Sequence, residues 1–229
     1  MIFFDLDHTL LDLESADRDA LAQFRTMSPL GEKLAWEPFY EAWEAIRIDC
    51  FQRYLDGELT YDGQRAERMR CIHKEAGIDL SEDDAFAEFM RYHAILRESW
   101  RLFPETWIAL TLLGNRPLGL ITNGNARQQR DKLKKLEIEG KFPFILTAEE
   151  AGCAKPDPQI FLMACERVGE KPEDCFYVGD HFASDIAPAE ALGMKTVWVD
   201  RKRQSFPEGS RAVRVNNLIS AACAVLDWE

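Results

Sequence analysis

The sequence predicts an α/β fold, a Rossmann-like parallel sheet covered by helices and carrying an inserted all-helical segment. Three observations support this. An apolar triplet, Ile2, Phe3 and Phe4, runs into two acids, Asp5 and Asp7. From about residue 105 onward strand-like and helix-like segments alternate, the pattern of a parallel sheet covered by helices. Between these two regions, residues 14–98 contain no convincing strand.

The elements follow in order. Ile2–Phe4 reads as a buried parallel strand, where apolar residues run without alternation. Residues 14–98 read as helices, ESADRDALAQF, AWEPFYEAWEAIRIDCFQRYL, TYDGQRAERMRCIHKEAG and SEDDAFAEFMRYHAILRESW. PLGLITNG (117–124) is a strand ending in a turn, and ARQQRDKLKKLEI behind it is an amphipathic helix. PFILTAEEAG (143–152) is a strand and a loop. DPQIFLMACERVG (157–169) is a helix opened by Asp-Pro and closed by Gly. DCFYVGDH (174–181) is a strand ending on Gly-Asp, followed by the helix SDIAPAEALG (184–193); MKTVWVD (194–200) is a further strand, and residues 216–227 form a closing helix. With the first strand this makes at least five. The expected division is a catalytic core of residues 1–13 and 99–229 and a helical domain of 14–98, a candidate lid because it follows the first strand.

Length and charge narrow the function. A chain of 229 residues buries a full core. Its net charge of −12 argues against a nucleic-acid polymer or an anionic membrane as partner, but leaves room for a small anionic substrate beside one lysine and a metal ion. Met1 runs straight into the first strand and no apolar stretch is long enough to cross a bilayer, so the expected location is the cytoplasm. The six cysteines are scattered, with no Cys/His cluster at zinc spacing, and read as reduced, mostly buried small hydrophobes. No interface signal separates a monomer from a homodimer.

Four stretches place polar or charged residues directly after an apolar strand: Asp5 and Asp7; Thr122, Asn123 and Gly124; Lys155 in AKPDP; and Asp180 with Asp185 in GDHFASD. Parallel strands point the same way, so these ends converge on one rim of the sheet. Together they supply what phosphoryl transfer requires. Asp5 serves as a carboxylate nucleophile and Asp7 as the acid/base that protonates the leaving oxygen and then deprotonates water. Two carboxylates so close are expected to have separated pKa values, with Asp7 carrying the proton. Asp180 and Asp185 complete a Mg²⁺ site with Asp5, since magnesium takes oxygen ligands and keeps several waters. Thr122 and the following backbone N–H groups hold phosphoryl oxygens, Gly124 permits close approach, and Lys155 balances the accumulated negative charge.

The ordered set DLDHT, LITNG, KPDP and GDHFASD resembles the haloacid dehalogenase (HAD) superfamily of phosphotransferases over most of residues 1–13 and 105–200. The resemblance implies a Rossmann-like core with Asp5 as nucleophile, Asp7 as acid/base, Thr122 as phosphate ligand and Lys155 as the neutralising lysine. It also implies that Asp180 and Asp185 form the acidic metal motif, that Asp7 ligates Mg²⁺ through its main-chain carbonyl, and that residues 14–98 are a C1-type cap. Similar dehalogenases lack an acid at the position of Asp7 and carry an aromatic residue and a glycine just after it. Asp7-His8-Thr9 therefore favours phosphoryl chemistry. Phosphomutases keep both aspartates but usually have Gly where His8 stands.

The stretch TNGNARQQRDKLKKLEIEGKFPFILTAEEAGCAKPDPQIF is similar to the branch of pyrimidine 5′-nucleotidase-like and N-acylneuraminate-9-phosphatases, as is the run DGELTYDGQRAERM. A small phosphorylated metabolite is the implied partner, with a 5′-nucleotide as the first expectation. A sugar-phosphate or acylneuraminate phosphatase, a pyrophosphatase, a phosphomutase and a non-catalytic phosphometabolite-binding protein remain alternatives. His8 is placed either to touch the leaving group or to cap and pack; His181 is a candidate orienting group beside Asp180. Trp36, Phe39, Tyr40, Trp43 and Arg47 share one helix face and read better as bundle core than as a substrate platform. Arg65, Arg68 and Arg70 read as solvated.

Overall fold

The computed structural model describes residues 1–228 and divides into two compact units, Met1–Leu13 with the chain from Arg101 onward, and Glu14–Trp100. The division falls two residues beyond the expected 98, because the last helix of the insertion runs through Ser99.

In the first unit the strands are β1 (Ile2–Phe4), β2 (Leu118–Thr122), β3 (Phe144–Thr147), β4 (Phe176–Gly179), β5 (Lys195–Val199) and β6 (Val213–Val215). All neighbours pair parallel, in the order β3-β2-β1-β4-β5-β6. The chain winds outward from β1 to β3, then resumes at β4 on the other side of β1, so the topological switch lies between β1 and β4. β1, β2 and β4 are buried throughout, as their unbroken apolar runs require. Gly119 sits in register between Phe3 and Phe144, and a Cβ there would lie 2.8 Å from the Phe3 ring. Its bare backbone lets those two rings meet edge to face at 5.7 Å across β2.

Eleven helices are described. α1 (Leu13–Thr26), α2 (Leu30–Lys33), α3 (Trp36–Leu55), α4 (Tyr61–Glu75) and α5 (Glu82–Ser99) make up the insertion. α6 (Thr106–Leu112), α7 (Ala126–Lys135), α8 (Ala148–Ala151), α9 (Pro158–Val168), α10 (Ala187–Ala191) and α11 (Leu218–Asp227) belong with the sheet. Boundaries carry local chemistry. Asn125 caps α7 by accepting from the Gln128 N–H, and Asp157 with Pro158 opens α9, which Gly169 closes at φ 73°. The residues after β3, expected as a loop, form α8, because Thr147 and Glu150 build a capping box. The helix expected at 184–193 begins as a wide π turn, Phe182–Ile186, before α10. α6 and β6 went unrecognised in the sequence; each is short enough to lack a readable period.

The helical unit has its own core. Tyr92 packs edge to face against Phe24, Trp43 and Phe89, with ring centroids 5.0–5.9 Å apart. Asp17 is buried among them and accepts hydrogen bonds from Tyr92 Oη and, at 3.2 Å, from Trp43 Nε1. Phe39 and Trp43 of the predicted aromatic stripe are fully buried, while Trp36 stacks on Tyr40 with the Arg18 guanidinium over both rings. The cysteines are free, yet only Cys50, Cys165 and Cys175 are buried; Cys71 and Cys153 are half-buried and Cys223 is exposed. No helix among the described residues is long and apolar enough to cross a membrane.

Candidate active site

The site is assembled where β1 and β4 end. Asp5 remains in register one residue past β1, donating its N–H to the Val178 carbonyl at 3.0 Å, and its side chain is buried. Asp180 directly follows β4. Asp185 is carried back to the same place by the π turn, where its Oδ2 accepts the His181 backbone N–H at 3.1 Å. Gly179 makes this return possible, because a Cβ there would fall 2.6–2.7 Å from the Asp185 side chain. One carboxylate oxygen from each of Asp5, Asp180 and Asp185 lies within 4.8 Å of the others.

Lys155 enters this group from the loop before α9. Its Nζ donates to Asp5 Oδ1 at 2.7 Å, to Asp185 Oδ1 at 2.6 Å and to Tyr177 Oη at 3.0 Å, and the residue is 3% exposed. One ammonium does not neutralise three carboxylates. Burial, reinforced by the charges of Asp5 and Asp185, pushes Asp180 up to about 8. Burial likewise lifts Asp5 to about 7, against the opposing charge of Lys155. Lys155 itself is held well above the lysine range, since its two carboxylate partners outweigh the cost of burial.

Asp7 takes a different direction. Its side chain is absent from the acidic group and is held by α7. Lys132 Nζ donates to both Asp7 oxygens at 2.7 Å, and Gln129 Nε2 donates to Asp7 Oδ2 at 3.2 Å and to Thr122 Oγ1 at 2.6 Å. Burial alone raises the Asp7 carboxyl, but the charge and hydrogen bond of Lys132 prevail, and it lies below the ordinary carboxylate range. The two acids of the opening motif thus separate in the sense opposite to the expectation: without a ligand, the Asp5 carboxyl is the raised one and the Asp7 carboxyl the lowered one.

The remaining predicted residues surround these two groups. Thr122, buried at the end of β2, is joined to Asp7 through Gln129. Asn123 spends its side chain on Lys155, exchanging one hydrogen bond with its carbonyl and one with its N–H, both 2.7 Å. At Gly124 a Cβ would press on the Gln129 side chain at 3.1–3.3 Å. His8 has φ 64°, in the left-handed region that favours glycine, and its N–H donates to the Leu11 carbonyl at 2.8 Å. His181 turns its ring away to Ser184, whose N–H it accepts at 3.1 Å, so its backbone rather than its imidazole touches Asp185. Thr9, which the sequence left without a role, is fully buried and donates to Asp180 Oδ1 at 3.1 Å.

Of the three arginines on α4, Arg65 lies over the Tyr61 ring at 4.0 Å and Arg70 pairs with Glu67. Arg65, whose side chain is 11% exposed, and Arg68 both depart from the solvated reading; of the three only Arg70 is exposed. Arg68 departs furthest. Its Nε is buried without a hydrogen-bond partner, and burial pushes the guanidinium down to about 10.

Carboxylates gathered with a lysine at the switch point of a parallel sheet make a site suited to an oxygen-ligated cation and an anionic substrate, the arrangement that the resemblance to a hydrolase superfamily implies. Residues 1–193 match the model for haloacid dehalogenase-like hydrolases, and the chain belongs to that family. It is 34% identical to the phosphoserine phosphatase of Thermus thermophilus, covering 95% of this chain and 96% of that one. It is 29% identical to human N-acylneuraminate-9-phosphatase over 87% of this chain and 82% of that one. The fold is shared with a magnesium-bound HAD hydrolase of Bacillus subtilis at TM-score 0.82 and 21% identity, covering 98% and 97% of the two chains. The chain is a phosphoric monoester hydrolase of small phosphate esters.

Proposed function

We propose that the protein is a Mg²⁺-dependent phosphatase that works through an aspartyl-phosphate on Asp5. The observation that supports this most directly is the separation of the acids: Asp5 shares a buried group with Lys155, Asp180 and Asp185, whereas Asp7 is held apart beside Thr122. The donor set fits magnesium, because it offers oxygen alone and because two of its carboxyls are lifted to about 7 and about 8 by burial and like charge. Asp5, Asp180 and Asp185 would hold the ion, together with the Asp7 main-chain carbonyl that the family resemblance implies. When bound, it supplies charge stabilisation to the phosphoryl oxygens.

The protein groups do the rest. An Asp5 oxygen attacks phosphorus and the bond from phosphorus to the ester oxygen breaks. Thr122 accepts from Gln129, which leaves its hydroxyl hydrogen free to donate to a phosphoryl oxygen. The arriving phosphoryl anion raises the proton affinity of Asp7, which is held ionised in the ligand-free site and takes up the proton carried by the phosphate monoanion; Asp7 passes that proton to the departing oxygen and takes one back from the water that hydrolyses the intermediate.

The substrate we propose is a small metabolite with its phosphate on a primary carbon. A 5′-nucleotide has this chemistry, as do the phosphoserine and 9-phosphate named in the two relatives. The reading places the enzyme in the cytoplasm and assigns substrate selectivity to the helical unit. Replacing Asp5 by Asn should abolish turnover of p-nitrophenyl phosphate with Mg²⁺, and retained turnover would overturn the assigned nucleophile. A panel of phosphoserine, uridine 5′-monophosphate, sugar phosphates and pyrophosphate, read by phosphate release, sets the substrate class.

A further inference from the structure

The bond between Lys132 and Asp7 carries an inference beyond this reading while resting on it. Lys132 is 4% exposed on a helix whose next lysine, Lys134, is exposed, and its head group bridges both oxygens of one carboxylate. A buried ion pair is seldom more stabilising than apolar packing of the same volume, so stability alone is a poor account of it. Gln129, three residues earlier on the same face of α7 and 1% exposed, adds a third hydrogen bond to Asp7 while holding Thr122. The face is anchored at the helix start. Asn125 Nδ2 and the Ala126 N–H donate to Glu149, and Asn125 accepts the Gln128 N–H.

We propose that Lys132, with Gln129, is the positioning residue for the acid/base Asp7, fixing the plane of its carboxyl group relative to Thr122. As the bond from Asp5 Oδ to phosphorus forms and the bond to the ester oxygen breaks, one proton moves from Asp7 to that oxygen. Lys132 keeps its protons and touches neither phosphorus nor the leaving group. In the second step a water proton moves to Asp7 as the oxygen of water bonds phosphorus and the bond from phosphorus to Asp5 breaks. A carboxyl free to rotate would still accept protons but would seldom meet the ester oxygen.

Leaving-group dependence separates this from a structural ion pair. A primary alkoxide needs a proton to depart and p-nitrophenolate does not, so only the alkyl substrate senses where Asp7 points during the first step. The variants are Lys132→Met, Lys132→Gln and Lys132→Arg, the last two retaining donors should the first fail to fold, with thermal melting as the check. For each, kcat/KM is measured with p-nitrophenyl phosphate and with whichever of phosphoserine and uridine 5′-monophosphate the wild type turns over faster. This parameter reports the reaction only as far as the first irreversible step. Expected is a loss of about 10²-fold or more on the alkyl ester for Lys132→Met against no more than about threefold on the aryl ester, with Lys132→Gln intermediate and Lys132→Arg the mildest. For the aryl ester kcat should also fall, with a burst of p-nitrophenolate, because the water step still needs Asp7. Equal losses on both esters in every folded variant overturn the proposal and leave the phosphatase reading standing. A wild type that hydrolyses none of these esters overturns both.

Discussion

Asn123 and Lys155 clasp one another: the Asn123 amide donates to the Lys155 carbonyl and accepts the Lys155 N–H, each at 2.7 Å. Asn123 follows β2 and Lys155 precedes α9, so the clasp ties two strand-end loops that the sequence holds 32 residues apart. It sets where the Lys155 ammonium stands between Asp5 and Asp185. Asn123→Ala removes both bonds and leaves a backbone N–H and a carbonyl to find water. The expected stability loss is about 1–3 kcal/mol by denaturant unfolding. Displacement of the ammonium by a fraction of an ångström should lower kcat by about tenfold to a hundredfold. Asn123→Asp keeps the acceptor but sets an oxygen against the Lys155 carbonyl, and should be worse than Ala in kcat; the reverse order would show that the clasp does not position Lys155.

The strand ends were legible because apolar runs stop at charged residues, and Asp5, Asp180, Asp185 and Lys155 meet where parallel strands must bring them. Lys132, Gln129 and Tyr177 were not. In the run DKLKK a buried lysine and a solvated one look alike, and its partner Asp7 lies 125 residues away. One signal was available. Gln129, Lys132 and Leu133 share one face of α7, and a polar pair placed on the face that also bears the buried leucine points inward. Tyr177 alternates within an apolar strand, where a phenol reads as packing until its hydroxyl is seen 3.0 Å from Lys155.

Metal and protons compete for the acidic group, and the sign follows from the raised pKa values. Asp5 at about 7 and Asp180 at about 8 retain protons in the folded, metal-free protein that the unfolded chain has released above the ordinary carboxylate value of 3.8. Folding is therefore favoured at the acid end of this window, and stability is lost as pH rises through 7 to 8. Mg²⁺ replaces those protons. The rise in Tm on adding saturating Mg²⁺ should be larger at about pH 8.5 than at about pH 6, and the apparent Mg²⁺ affinity by calorimetry should strengthen over the same interval. A Mg²⁺ shift independent of pH would dissociate these carboxyls from metal binding.

Gly179 is required by space rather than by backbone angle. A methyl group there would stand 2.6–2.7 Å from the Asp185 carboxylate, which is itself fixed by Lys155 and the His181 N–H. Gly179→Ala must push Asp185 out of the group or spread β4 from the π turn, at a cost of about 1–3 kcal/mol. Expected are a folded protein, Mg²⁺ binding weakened by about tenfold or more and activity reduced in step, partly restored at high Mg²⁺ concentration. Wild-type Mg²⁺ affinity in a folded Gly179→Ala protein would remove Asp185 from the ligand set.

In the helical unit, Asp17 accepts from Tyr92 and Trp43 inside the aromatic core, and burial lifts its carboxyl above the ordinary range despite both hydrogen bonds. Asparagine at this position has one acceptor oxygen and must turn an N–H₂ group toward one of the two donors. Asp17→Asn should therefore lose about 1–3 kcal/mol near neutral pH, because either Tyr92 or Trp43 is left unpaired. The pH dependence supplies an independent check. With its folded pKa raised, Asp17 stabilises the fold most below its unfolded pKa and loses that contribution as pH rises through the folded value. Asparagine does not titrate, so the deficit of Asp17→Asn measured by urea unfolding should be largest in mild acid and shrink as pH rises through that window. A deficit that grows toward neutral pH would mean that the hydrogen bonds, rather than burial, govern the Asp17 carboxyl.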